Sequence, residues 1–215
     1  MADDATETAG DPERPDPVGG RDRPERPADV PTWDDEFLDR ASDRLLFNYD
    51  LARDETVGGE RFDLTGEMRV DSRKQFLHES LTYANHHADE YLFARRVDGV
   101  TVADLERLVE LGHELADERI TPDEEHYGTD LSFVLVAPTI PEAVREFVLG
   151  FRERQLLAFG YYGHYEVNLG VVAPDDEEAV ASREADVVAA FTPWDDVPDR
   201  RSDGFLARVR RALGR

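Results

Sequence analysis

The 215-residue chain contains no cysteine. A disulfide scaffold, a thiolate-ligated zinc site and a cysteine nucleophile are therefore excluded. Lys74 is its only lysine, so the other 24 of its 25 basic residues are arginine. No apolar run approaches the roughly 18 residues of a membrane-spanning helix. The N-terminus lacks an apolar signal core, which predicts a cytoplasmic chain. No Gly-x-x-x-x-Gly-Lys occurs, and Gly58-Gly59 is too short to cradle a phosphate, so nucleotide hydrolysis is not expected. No Gly-x-Ser-x-Gly marks a serine nucleophile, and Ser42, Ser72, Ser80 and Ser132 have no local signature.

What is present is acid. Asp and Glu number 49 against 25 basic residues, a formal charge of -24. Such a chain is a poor general binder of nucleic acid. The surplus is spread through every segment but the last, which a single partner-binding face would not require. This composition, with arginine in place of lysine, is similar to that of haloarchaeal proteins adapted to molar salt. At about 1 M salt the Debye length is roughly 3 Å, so self-repulsion is largely screened. At low salt it would oppose compaction.

The chain divides by composition. Residues 1–31 hold six of the twelve prolines and no aromatic residue. They read as an acidic, Pro-rich disordered tail, because they cannot bury enough apolar area to offset ordering entropy. Residues 32–190 read as one α/β domain, 191–203 as a linker, and 204–215 as a basic amphipathic helix.

Within the domain, Thr32 and Asp35 resemble a capping box, and the stripe Leu38, Ala41, Leu45, Leu46, Tyr49 predicts a helix over 34–52. The period then falls to two. Phe62, Leu64, Gly66, Met68 and Val70 alternate with charged residues as a half-buried strand. A strand is expected over 75–84, with helix as its rival, and another over 90–97. Thr101 and Asp104 cap a helix over 102–118. A polar loop, 121–129, precedes Leu131–Ala137, the apolar run of a strand buried on both faces. Thr139 and Glu142 form a capping box, with Pro141 in the first turn of a helix ending near Phe151. Strands are expected over 155–162 and 164–173, and an acidic helix over 175–190. The expected fold is therefore α/β: a helix, a three-stranded antiparallel meander, then α-β-α-β-β, forming a mixed sheet with flanking helices.

Residues Phe62–Val70, Glu90–Val97, the helix from Val102 and Leu131–Ala137 together resemble an uncharacterised prokaryotic domain family. That resemblance covers 34–173 and implies a domain without an assigned activity. The order helix, meander, helix, buried strand is also similar to the core of restriction-endonuclease-like nucleases, in element order alone.

The nuclease resemblance implies an Asp on one strand and Glu-x-Lys on the next, holding a cation. Asp63, Glu67 and Glu90 are the candidate carboxylates, but Leu92 stands where the lysine is needed. His86, His87 and Asp89 offer metal-ligand types, although adjacent histidines point apart. His113-Glu114-x-x-Asp117 has Asp where a zinc helix needs its second His. His164 and Glu166 share a strand face. The segment Phe159–Tyr165 reads as a tight hairpin with cross-strand aromatic pairs. In the basic tail, Phe205, Leu206, Val209, Arg210, Arg211 and Leu213 form an amphipathic face for a membrane surface or a protein partner. The leading expectation is a non-catalytic binding or scaffolding protein without a cofactor. The alternative is a metal-dependent hydrolase or degenerate nuclease.

Overall fold

The computed structural model describes residues 26–28, 30–72 and 86–194. The expected strand at 75–84 and helix at 204–215 lie outside them, as does most of the expected N-terminal tail.

The first helix, α1 (Glu36–Leu45), starts where Asp35 accepts from the backbone N–H groups of Phe37 and Leu38. Asp35 is itself the N-cap, not a partner to Thr32. The helix is shorter than expected. Asp50–Val57 is instead strand β1, paired antiparallel with β2 (Glu60–Ser72). The Gly58-Gly59 turn joins them, with φ of +57° and +82°. Two successive left-handed residues are what a two-residue hairpin needs. β1 is an edge strand in which only Val57 is buried. Its charges guard that edge against pairing with other chains and erase the alternation that would announce a strand. Asp54, at φ +59°, lies between the pairs Arg53–Leu64 and Glu55–Phe62, where the register is kept.

β2 pairs antiparallel with β3 (His86–Arg96). Helix α2 (Val102–Arg119) then carries the chain to β4 (His126–Val136), parallel to β3. The expected box at its start is present: Thr101 and Asp104 cap each other reciprocally. Helix α3 (Glu142–Gly150) has Pro141 at its N-cap and no side-chain cap, so Thr139 does not play the expected role. Strand β5 (Glu153–Leu156) and a 3-10 turn, Leu157–Gly160, lead to β6 (His164–Ala173), parallel to β4. The expected helix at 175–190 is replaced by a 3-10 turn, strand β7 (Glu178–Ala181) and a second 3-10 segment, Asp186–Phe191. β5 takes only residues 164–167 of the β6 edge, and β7 pairs with residues 170–173. A free edge buried in the sheet outweighs local helix preference. The result is a seven-stranded mixed sheet, β1-β2-β3-β4-β6-β5, with β7 also on β6.

Both faces are covered. Leu105, Leu108 and Leu115 of α2 and Val144 and Val148 of α3 pack with Phe93, Phe133 and Val167 of the sheet. Gly112 allows the close approach, since a Cβ there would lie 2.9 Å from Val167. On the other face Leu38, Ala41 and Leu45 of α1 join Val187, Val188 and Phe191 over Leu92, Val134 and Val172. Phe191 and Thr192 are buried, so the packed domain runs past the expected boundary at 190. Arg26 donates to Asp43 at 2.7 Å and Ser42 at 2.8 Å, so contacts with the domain also precede Thr32.

Candidate functional site

Three buried carboxylates interrupt the core among the described residues. On the α1 face Glu90, Asp130 and Glu166 stand opposite one another on β3, β4 and β6. They are 5%, 3% and 8% exposed. Strand alternation fixes this, because each lies an even number of residues from an apolar member of the same face, such as Leu92, Val134 and Val172. The row continues to Met68 on β2 and Arg154 on β5. Tyr49 covers it, donating its hydroxyl to Glu90; burial, then that carboxylate, drives its pKa far upward. At the other end Arg154 lies 3.3 Å from Glu166, and His164 lies 3.5 Å from it. Among the described residues no three His, Asp or Glu side chains are arranged to hold a metal ion.

The three candidate carboxylates do not come together. Asp63 accepts from the Arg96 backbone N–H at 2.7 Å. Glu67 pairs with Arg119 of α2 at 2.8 Å. In register, Glu67 opposes Tyr91 while Met68 opposes Glu90, so Glu67 and Glu90 leave the sheet by opposite faces. Leu92 is fully buried, so the position of a nuclease lysine is part of the core. His164 and Glu166 share a strand face as expected and lie 3.5 Å apart, but Asp130 was hidden. Its only sequence signal was an acid directly before the apolar run Leu131–Ala137.

His87, His113 and His126 are engaged. His87 packs edge-on against His126, with centroids 5.6 Å apart, and its Nε2 lies 3.8 Å from Asp89. His86 opposes Ser72 in the ladder. Both His126 nitrogens are bonded, to the Tyr162 carbonyl at 2.7 Å and the Thr129 hydroxyl at 2.9 Å. Burial lowers the His126 pKa and keeps the ring neutral. His113 meets the Tyr165 hydroxyl at 2.9 Å. Phe205, Leu206, Val209, Arg210, Arg211 and Leu213 fall outside the described residues.

The hairpin at 153–173 is present, but its aromatic residues do not pair across it. Phe159 is 97% and Tyr161 85% exposed. Ala158 and Phe159 are both left-handed, at φ +46° and +59°. Such residues cost of order 1–2 kcal/mol each.

Beside the carboxylate row the β6 edge has a notch. β5 pairs with residues 164–167 and β7 with residues 170–173, leaving a gap between them. Ser182 bridges it, donating its N–H to the Leu169 carbonyl at 2.8 Å and accepting from the Leu169 N–H at 3.0 Å. A cavity of about 160 Å³ opens there, lined among others by Arg152, Arg154, Glu166, Asn168, Arg183 and Glu184. Asn168 is buried, and its Nδ2 has no hydrogen-bond partner among the described residues.

Fold and site together define a three-layer α/β domain whose mixed sheet carries a polar row and an edge cavity. The chain belongs to a family described as a domain of unknown function, DUF8052, which matches residues 34–193. No curated protein and no solved structure matches it.

Proposed function

We propose that the domain is a non-catalytic binding protein of a salt-rich cytoplasm, and that its ligand occupies the notch on the β6 edge. Asn168 carries this reading. A buried amide N–H without a partner costs about 1–3 kcal/mol. The strands hold Asn168 in place, and the cavity beside it is polar on several sides. A ligand that bonds the Asn168 carboxamide would remove the cost. Rigid strands with a few placed polar groups suit recognition. The hydrolase alternative asks Asp63, Glu67 and Glu90 to share one cation, and two of them leave the sheet by opposite faces. The tail face from Phe205 to Leu213 supports a separate contact with a membrane surface or a protein.

The test is thermal melting in molar KCl with a panel of small cationic, neutral and anionic molecules. A compound that raises the Tm of the wild type but not of Asn168→Leu supports the reading. No shift with any compound refutes it, as does divalent-dependent hydrolysis that is lost in Glu90→Gln.

A further inference from the structure

We infer that the notch on the β6 edge is an oxyanion site, taking a small carboxylate or phosphate-bearing molecule; this rests on the binding reading above. The argument is an account of partners. Arg154 is paired with Glu166 at 3.3 Å, and Arg183 with Glu184 at 3.5 Å. Glu153, also in the wall, accepts from Gln155 at 2.6 Å and faces His113. The acceptors of the wall are thus engaged. Two groups of the wall are left over among the described residues. Arg152, an exposed side chain, makes no ion pair, and the buried Asn168 Nδ2 makes no hydrogen bond. Both are donors.

The surplus therefore asks for an acceptor, and a charged one. A guanidinium binds a carboxylate or phosphate through two parallel N–H donors, which is stronger and more selective than a point charge. The surroundings permit it. Arg152, Arg154 and Arg183 balance Glu153, Glu166 and Glu184 around the cavity, whereas the whole chain carries -24. At molar salt the distant acidic surface is screened beyond roughly 3 Å, so contacts inside the notch decide which ion enters. The cavity is also small, at about 160 Å³. That suits a small molecule, such as a dicarboxylate of a few carbons or a single phosphate group.

The experiment is titration calorimetry of the full chain in molar KCl with succinate and inorganic phosphate as probes. Putrescine and glucose serve as cationic and neutral comparisons. Two variants accompany the wild type: Arg152→Glu, at an exposed position, and Asn168→Leu, with circular dichroism confirming that each folds. The expected result is binding of at least one oxyanion probe, weakened at least about tenfold in Arg152→Glu. Binding of succinate alone assigns the site to carboxylates; binding of phosphate assigns it to phosphate-bearing ligands. Unchanged affinity in Arg152→Glu places the anion elsewhere and overturns the inference. Binding of putrescine or glucose without either oxyanion overturns the ligand class while leaving the binding reading standing. Silence from all four compounds overturns the inference, and with no response from the wider melting panel that reading falls as well.

Discussion

Replacing Asp130 by Asn should make the domain more stable, although Asp130 is one of its most buried polar residues. It stands between Glu90 and Glu166 on neighbouring strands of the same face. Strands in a sheet run about 4.8 Å apart, so each neighbouring carboxylate is about 5 Å away. Two unit charges at that distance repel by about 3 kcal/mol at an effective dielectric constant near 20. With two neighbours the gross repulsion on Asp130 approaches 6–7 kcal/mol on the same basis. Part is offset: Tyr49 donates to Glu90, and Arg154 sits 3.3 Å from Glu166. Asp130 also has polar contacts of its own, and a hydrogen bond to a charged group returns about 1.5–3 kcal/mol. The repulsion is the larger of the two, so a net gain of about 1–3 kcal/mol is expected, which for a domain of this size raises the Tm by about 2–4 °C per kcal/mol. Asn keeps the shape and one acceptor oxygen, so packing is unchanged. The assay is thermal unfolding followed by circular dichroism in molar KCl at neutral pH. A Tm that falls at neutral pH would refute the reasoning, because it would mean that attraction rather than repulsion governs the row.

Three further outcomes are expected. Asp35→Ala removes the α1 cap and should cost about 1 kcal/mol at neutral pH. Burial alone would raise the Asp35 pKa, but Arg96 and the N–H groups of Leu38 and Phe37 hold it below its ordinary value. Its contribution is thus complete above the unfolded value near 4 and disappears as pH falls through the lower folded one. Wild type and variant should converge in acid, and a constant difference across pH would contradict the assignment. Gly163→Ala should lower the Tm, because Gly163 has φ +77° and a Cβ there would lie 2.3 Å from the Tyr127 carbonyl oxygen; an unchanged Tm would show that the loop relocates freely. Far-UV circular dichroism against KCl concentration should show the fold lost at low salt, and a folded spectrum at very low salt would end the salt-adapted reading.

Local signals were enough where they agreed with the final packing. The stripe from Leu105 to Leu115 and the Thr101–Asp104 box define α2, because a helix closes its bonds within itself and its cap lies within four residues. The apolar run at Leu131–Ala137 and the alternation at Tyr165–Val171 mark β4 and β6 for the same reason: burial on a strand is written in its own residues. β1 and β7 were not readable in this way. β1 is a charged edge strand, and β7 is four residues whose reason to be a strand is the open half of the β6 edge.

The sequence by itself determined the acidic surface, the mixed α/β class and the absence of cysteine chemistry, since composition and periodicity are properties of the chain alone. Only the tertiary structure decided the site. Glu90, Asp130 and Glu166 are separated by dozens of residues, and whether they share a face depends on the register of three strands, where a slip of one residue would send any of them to the opposite side. The notch exists for a similar reason: β5 and β7 arrive from opposite ends of the β6 edge and stop short of each other, leaving Asn168 beneath the gap. No spacing in the sequence encodes that meeting, because it is set by where the rest of the sheet places β6.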